Sequence, residues 1–154
     1  MSAEARLTEL GITLPPAPPK GGIYQPIVRT GNLAYVSGHG PILDNGTYMT
    51  GRLGENLSLE EGQQAARQTG LALLATIKKE LGTLDKVARL VKSLGLVNST
   101  ADFNQQPLVV NGFSSLFEEI FGSDAGVGAR SAMGTNVLPG NIPVEIEIIL
   151  ELKD

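Results

Sequence analysis

Arg130 stands in the run Gly128–Ala129–Arg130–Ser131–Ala132–Met133–Gly134, with no acidic residue nearer than Asp124. A guanidinium among small side chains is free to fork onto a carboxylate or phosphate through paired N–H donors. Composition alone favours the plainer reading, a surface arginine or one bridged to Glu145 or Glu147, which themselves read as solvated positions on a half-exposed strand. His39 is the single histidine, and the chain has no cysteine. That excludes His-rich and thiolate metal sites, iron–sulfur clusters, disulfides and a cysteine nucleophile. Ser37 and Asp44 bracket His39, yet neighbours in sequence rarely meet in the geometry of a Ser-His-Asp triad. Gly38–His39–Gly40 is too short for a phosphate cradle, and no dinucleotide, Walker, HExxH or nucleophile-elbow motif is present. Tyr24, Ser37 and Asn111, taken singly, are ordinary polar residues.

The chain that must position these groups has 154 residues, 42% of them hydrophobic and 18% charged, the make-up of one globular domain. Lys plus Arg number 12 against 16 Asp plus Glu, a net charge of −4. That balance argues against a protein devoted to a nucleic-acid backbone. No apolar run approaches the length of a membrane span, and residues 1–10 do not read as a signal peptide. The expectation is a soluble, cytoplasmic domain with no membrane partner.

Residues 3–10 can form a short helix stopped by Gly11. Four prolines at 15, 16, 18 and 19 then fix an extended tether, so residues 1–21 are set apart from a domain over 22–154. Residues 27–30 and 33–37 flank Gly31–Asn32 as a hairpin. Ser58 and Glu61 fit a capping box, and the three-and-four spacing through Ala66, Gly70, Leu73, Ile77 and Leu81 predicts a helix ending at Gly82. A strand over 87–97, apolar on both faces, suits the interior of a sheet, with Leu90 grouped with Leu94 and Leu96. A second helix runs from about Pro107 to Phe121. Residues 144–151 alternate strictly, with Val144, Ile146, Ile148 and Leu150 on one face and Glu145, Glu147, Ile149 and Glu151 on the other. The fold class is α+β, a mixed sheet with two helices on one face. The other face is apolar enough that packing against another subunit is the simplest remedy.

Several of these segments together resemble a known family. Gly22–Ile23–Tyr24–Gln25–Pro26, the strand ending Val36–Ser37–Gly38, the segment Asn111–Gly112–Phe113, and above all Ala129–Arg130–Ser131, Leu138–Pro139 and Val144–Glu145–Ile146–Glu147 follow the order and spacing of the reactive intermediate deaminase family (Rid or YjgF, "endoribonuclease L-PSP"). The chain is similar to a longer branch of it. It has His39 where the family often has glutamine and Ala132 where many members have cysteine.

The resemblance implies a chorismate-mutase-like fold, a homotrimer with clefts between subunits, and hydrolysis of 2-imino acids to 2-oxo acids and ammonia without cofactor or metal. Carried over, Arg130 would hold the substrate carboxylate and Glu145 would orient the attacking water and move its proton. Tyr24, Ser37, the Gly38 backbone, His39 and Asn111 would line the cleft; a purely structural His39 is the other reading. An arginine beside Glu145 would keep that carboxylate ionised. A non-catalytic small-carboxylate-binding or interaction protein of the same fold is the alternative, ahead of a ribonuclease or a chorismate-mutase-type enzyme. If residues 130–137 and 143–151 form a hairpin turning at Pro139–Gly140, Arg130 falls opposite Leu150 and Glu145 opposite Thr135. At about 3.3 Å per residue that is roughly 15 Å, so one small substrate reaches both only if subunits contribute the two groups separately or a loop bends the ladder.

Overall fold

In the computed structural model, which describes residues 1–154, the Ser2 hydroxyl accepts from the Ala5 N–H and opens α1 (Ala3–Glu9). Ala3 and Leu7 of α1 join the main core, and the proline stretch then runs without regular structure to the first hairpin. That hairpin is β1 (Ile27–Thr30) and β2 (Leu33–His39), joined by Gly31–Asn32 with Gly31 at φ 59°, a left-handed position that favours glycine. The Ser58 hydroxyl accepts from the Glu61 N–H, and the Glu61 carboxylate accepts from the Ser58 N–H. This complete capping box starts α2 (Leu59–Leu81). Next come β3 (Val87–Asn98), α3 (Gln106–Phe121) and a one-turn α4 (Ser123–Gly126) that the sequence pattern did not predict. The chain finishes with β4 (Ala129–Thr135) and β5 (Val144–Leu152).

The five strands form one sheet in the order β1-β2-β5-β3-β4, with only the β3–β4 pair parallel. α2 and α3 cover one face. Leu73, Leu74 and Ile77 of α2 and Phe113, Leu116 and Phe117 of α3 are buried with Val144, Ile146, Ile148 and Leu150 of β5. The alternation expected of the last strand therefore holds. The two helices approach closely because glycine lines their crossing: a Cβ on Gly112 would lie 2.0 Å from the Gln63 carbonyl oxygen. The result is the expected α+β domain.

Two expectations need correction. β4 and β5 are not a hairpin. Residues 139–141 make a 3₁₀ turn with Gly140 at φ 62° and Asn141 at φ 56°, and β5 inserts between β2 and β3. β4 instead lies parallel to β3 at the sheet edge, since α3 supplies the crossover that parallel pairing requires. Leu90 also turns to the helix side with Val87, Ser93 and Val97, leaving Leu94 and Leu96 on the opposite face. Irregularities at 87/89 and 90/92 in the β3–β5 register cause that switch.

No helix covers the second face of the sheet. Val28, Tyr35, Leu94 and Ile149 there flank a trough of about 460 Å³ that also holds Ser37, Lys92 and Glu147. Val28 is 53% exposed and Met133, aligned with Leu96, is 50% exposed.

Candidate functional site

Arg130 aligns with Ser93, whose side chain is buried on the helix side of β3. Parity along the sheet sends the Arg130 side chain the same way, over α3. There Nη1 donates to Asn111 Oδ1 at 2.8 Å and to Ser114 Oγ at 3.0 Å, and Nη2 donates to the Pro107 carbonyl at 3.3 Å. All three acceptors are neutral, and Arg130 takes part in none of the chain's four salt bridges. The guanidinium is thus oriented without being neutralised, the state of an anion receptor. Asn111, which the resemblance assigned to the cleft lining, is the nearest of these acceptors. Ser114 adds a contact that the Asn111 (i, i+3) spacing on α3 made readable.

Glu145 aligns with Leu96 and so lies on the uncovered face. Arg130 and Glu145 are two strands apart and offset by three residues along β3, about 14 Å by ordinary strand spacings, and they point to opposite faces. The hairpin geometry was wrong, but the separation remains and is made stricter. The Glu145 carboxyl packs over Gly38, where an added Cβ would stand 3.0 Å from its Cδ. Burial raises the Glu145 pKa, and the like charge of Glu147 raises it further. Within one chain no arginine pairs with it: Arg89, which shares that face, pairs with Glu151 instead.

Tyr24, Gly38 and His39 meet at one recess of about 50 Å³, which also takes in Lys20 and Tyr48. The Tyr24 hydroxyl accepts from the Gly21 N–H at 3.0 Å, and the Ser37 hydroxyl donates to the Gln25 carbonyl at 2.6 Å. His39 is 7% exposed. Its Nδ1 contacts the Ser37 carbonyl at 2.7 Å and its Nε2 the Thr76 hydroxyl at 2.7 Å. The carbonyl can only accept, so Nδ1 carries the proton and Nε2 accepts from Thr76. Burial pushes the ring's pKa down, opposed by the Ser37 contact. Both nitrogens are occupied, so His39 offers the recess a wall rather than a free polar group. Lys20 and Tyr48 carried no signal in the sequence; the folding back of the proline stretch and of the 41–50 loop brings them in.

The candidate residues thus fall into two half-sites. One is Arg130 with Asn111 and Ser114 on the helix side of the edge strand. The other is Glu145, Gly38 and the Tyr24 recess, with Ser37 beside it. No helix of the chain is long and apolar enough to cross a membrane.

The chain is 41% identical over 150 residues to protein TCP17 of Trypanosoma cruzi, covering 97% of this chain and 94% of that protein. Among solved structures, a protein of unknown function from Agrobacterium tumefaciens matches at 39% identity and a TM-score of 0.86, over 97% of this chain and 91% of that one. A "putative endoribonuclease" from Shewanella oneidensis matches at 29% identity and a TM-score of 0.93, over 99% and 100%. RidA from an Antarctic Psychrobacter is more distant, at 25% identity and a TM-score of 0.62, over 88% and 94%. The family described as "YjgF/chorismate_mutase-like, putative endoribonuclease" matches residues 4–152, and the chain belongs to that family.

Proposed function

We propose that this chain is the repeating unit of a homotrimer whose inter-subunit clefts hydrolyse 2-imino acids to 2-oxo acids and ammonia. The observation that carries the reading is the placement of an un-neutralised Arg130 and a raised-pKa Glu145 on opposite faces of one sheet. Neither completes a site alone, and a cyclic assembly brings one subunit's edge against another's open face. The exposed apolar residues of that face support such packing.

In the cleft Arg130 binds the substrate carboxylate by a paired contact and fixes the imine carbon. Glu145 accepts a proton from water as its oxygen adds to the C=N carbon and passes that proton to the imine nitrogen, giving the carbinolamine. Glu145 then moves the hydroxyl proton to the amino group as the C–N bond breaks, so that ammonia leaves, the carbonyl forms and the carboxylate is regenerated. No electrons change hands. An ionised Glu145 is required, and an arginine arriving from the neighbouring subunit supplies the charge that offsets Glu147.

The test is hydrolysis of 2-imino acids generated in situ by an amino-acid oxidase, wild type beside Arg130→Ala, scored only above the spontaneous rate. Acceleration lost in the variant supports the reading. No acceleration across short, branched and aromatic imines refutes it. A second reading, a non-catalytic carboxylate binder, draws on the fact that Asn111 and Ser114 orient Arg130 without Glu145. In that case Glu145→Gln leaves carboxylate binding intact.

A further inference from the structure

The recess beside Gly38 is lined by solvent-exposed donors that no protein group engages. Lys20 makes no ion pair or hydrogen bond, and the Tyr48 hydroxyl makes none either. The Tyr24 hydroxyl accepts from Gly21 and keeps its own proton free. No carboxylate is among the nine lining residues. Three donors free of protein partners, one of them cationic, around a volume of about 50 Å³ describe a receptor for one small anionic group, since about 10–15 Å³ of such volume already holds a water. A whole substrate would not fit.

Its position adds the second half of the argument. Gly38 forms part of the recess wall, and the Glu145 carboxyl packs on Gly38. A group held in the recess therefore lies one residue's thickness from the carboxyl assigned to proton transfer. Lys20 is brought there by the proline stretch, whose fixed φ angles keep the segment extended at low entropic cost. The Gly21 N–H then ties the end of that stretch to Tyr24.

We propose that the recess is an anion subsite selecting 2-imino acids that carry a second, distal carboxylate, with Lys20 as the specificity-determining residue. This rests on the imine-hydrolase reading of the cleft: Arg130 takes the carboxylate next to the imine, and Lys20 with the two tyrosine hydroxyls takes the far one.

The experiment is calorimetric titration of the full chain with 2-oxoglutarate and with 2-oxobutanoate, dicarboxylate and monocarboxylate product analogues, at matched ionic strength. Wild type should bind the dicarboxylate about tenfold more tightly, as a charge-assisted contact implies. Lys20→Gln should bring the ratio close to unity, and Tyr48→Phe should lower it by about threefold. Lys20 is exposed, so the substitution leaves the fold intact, which an unchanged melting temperature verifies. Equal binding of both acids that depends on Arg130 overturns the subsite and leaves the cleft standing. A dicarboxylate preference untouched by Lys20→Gln also overturns it. Dicarboxylate binding that needs Lys20 but keeps its full affinity in Arg130→Ala supports the anion subsite and sinks the cleft reading, whereas binding of neither acid overturns both.

Discussion

Replacing Gly38 with alanine tests whether the placement of Glu145 matters to chemistry. Gly38 is not among the positive-φ glycines, so alanine fits the backbone there and restricts the unfolded chain, a gain of about 0.4–1 kcal/mol. Against this, the new Cβ would sit 3.0 Å from Glu145 Cδ, 3.2 Å from Cγ and 3.3 Å from Oε2. Ordinary carbon contacts lie at about 3.5–4.0 Å, so the carboxyl must retreat by roughly half an ångström to one ångström. Its side chain is flexible and borders open solvent, so that retreat costs on the order of 1 kcal/mol or less. The two terms nearly cancel, and the melting temperature should stay within about 4 °C. Misplacing a catalytic group by one ångström costs about a hundredfold in rate, so a loss of about ten- to a hundredfold in kcat/KM is expected. Scanning calorimetry and coupled imine hydrolysis on the same preparations give both quantities. In a Glu145→Gln background the alanine should add almost nothing, because the group it displaces is already disabled. Full activity in Gly38→Ala, or an equal loss in both backgrounds, would refute the reasoning.

Gly112→Ala should do the reverse, since its Cβ meets a backbone oxygen at 2.0 Å and α2 and α3 must separate; urea unfolding should show a loss of about 3 kcal/mol. Glu147→Gln removes the like charge that is the smaller cause of the raised Glu145 pKa, so the acidic limb of the pH–rate profile should move to lower pH; an unmoved limb contradicts that assignment. His39 is held below its ordinary 6.5 in the fold, so the unfolded chain binds more protons as pH falls. Its stabilisation is whole above that value and is lost as pH drops toward the folded pKa. The melting temperature of His39→Gln should accordingly fall less steeply than that of wild type between about pH 7 and pH 5, and parallel slopes would exclude the effect.

The helices and the last strand were legible because their signals are local. Ser58 and Glu61 stand three residues apart and cap each other, and the alternation from Val144 to Leu150 follows from burial of one face. The partner of β4 was not legible. Short sequence separation favours a hairpin with β5, and nothing in residues 129–135 records that α3 returns the chain parallel to β3. The face of Leu90 was hidden for a similar reason, since a bulge breaks the period of two without marking the sequence. Arg130 and Asn111 could be paired from their motifs. Their opposition to Glu145 required the register, and the gathering of Lys20, Tyr24 and Tyr48 required the path of two loops.

In the proposed ring, the opposite facing of the arginine and the glutamate would also decide who owns an active centre. Each chain would lend its Arg130 to one neighbour and its Glu145 to the other, so that no subunit would hold a whole centre of its own. A copy damaged at Arg130 still offers a sound glutamate, and a copy damaged at Glu145 a sound arginine. Two dead alleles made in the same cell would therefore rebuild some intact clefts, while a single bad allele would spoil clefts belonging partly to good copies. Inheritance at these two positions then concerns neighbouring chains as much as the chain that carries the change.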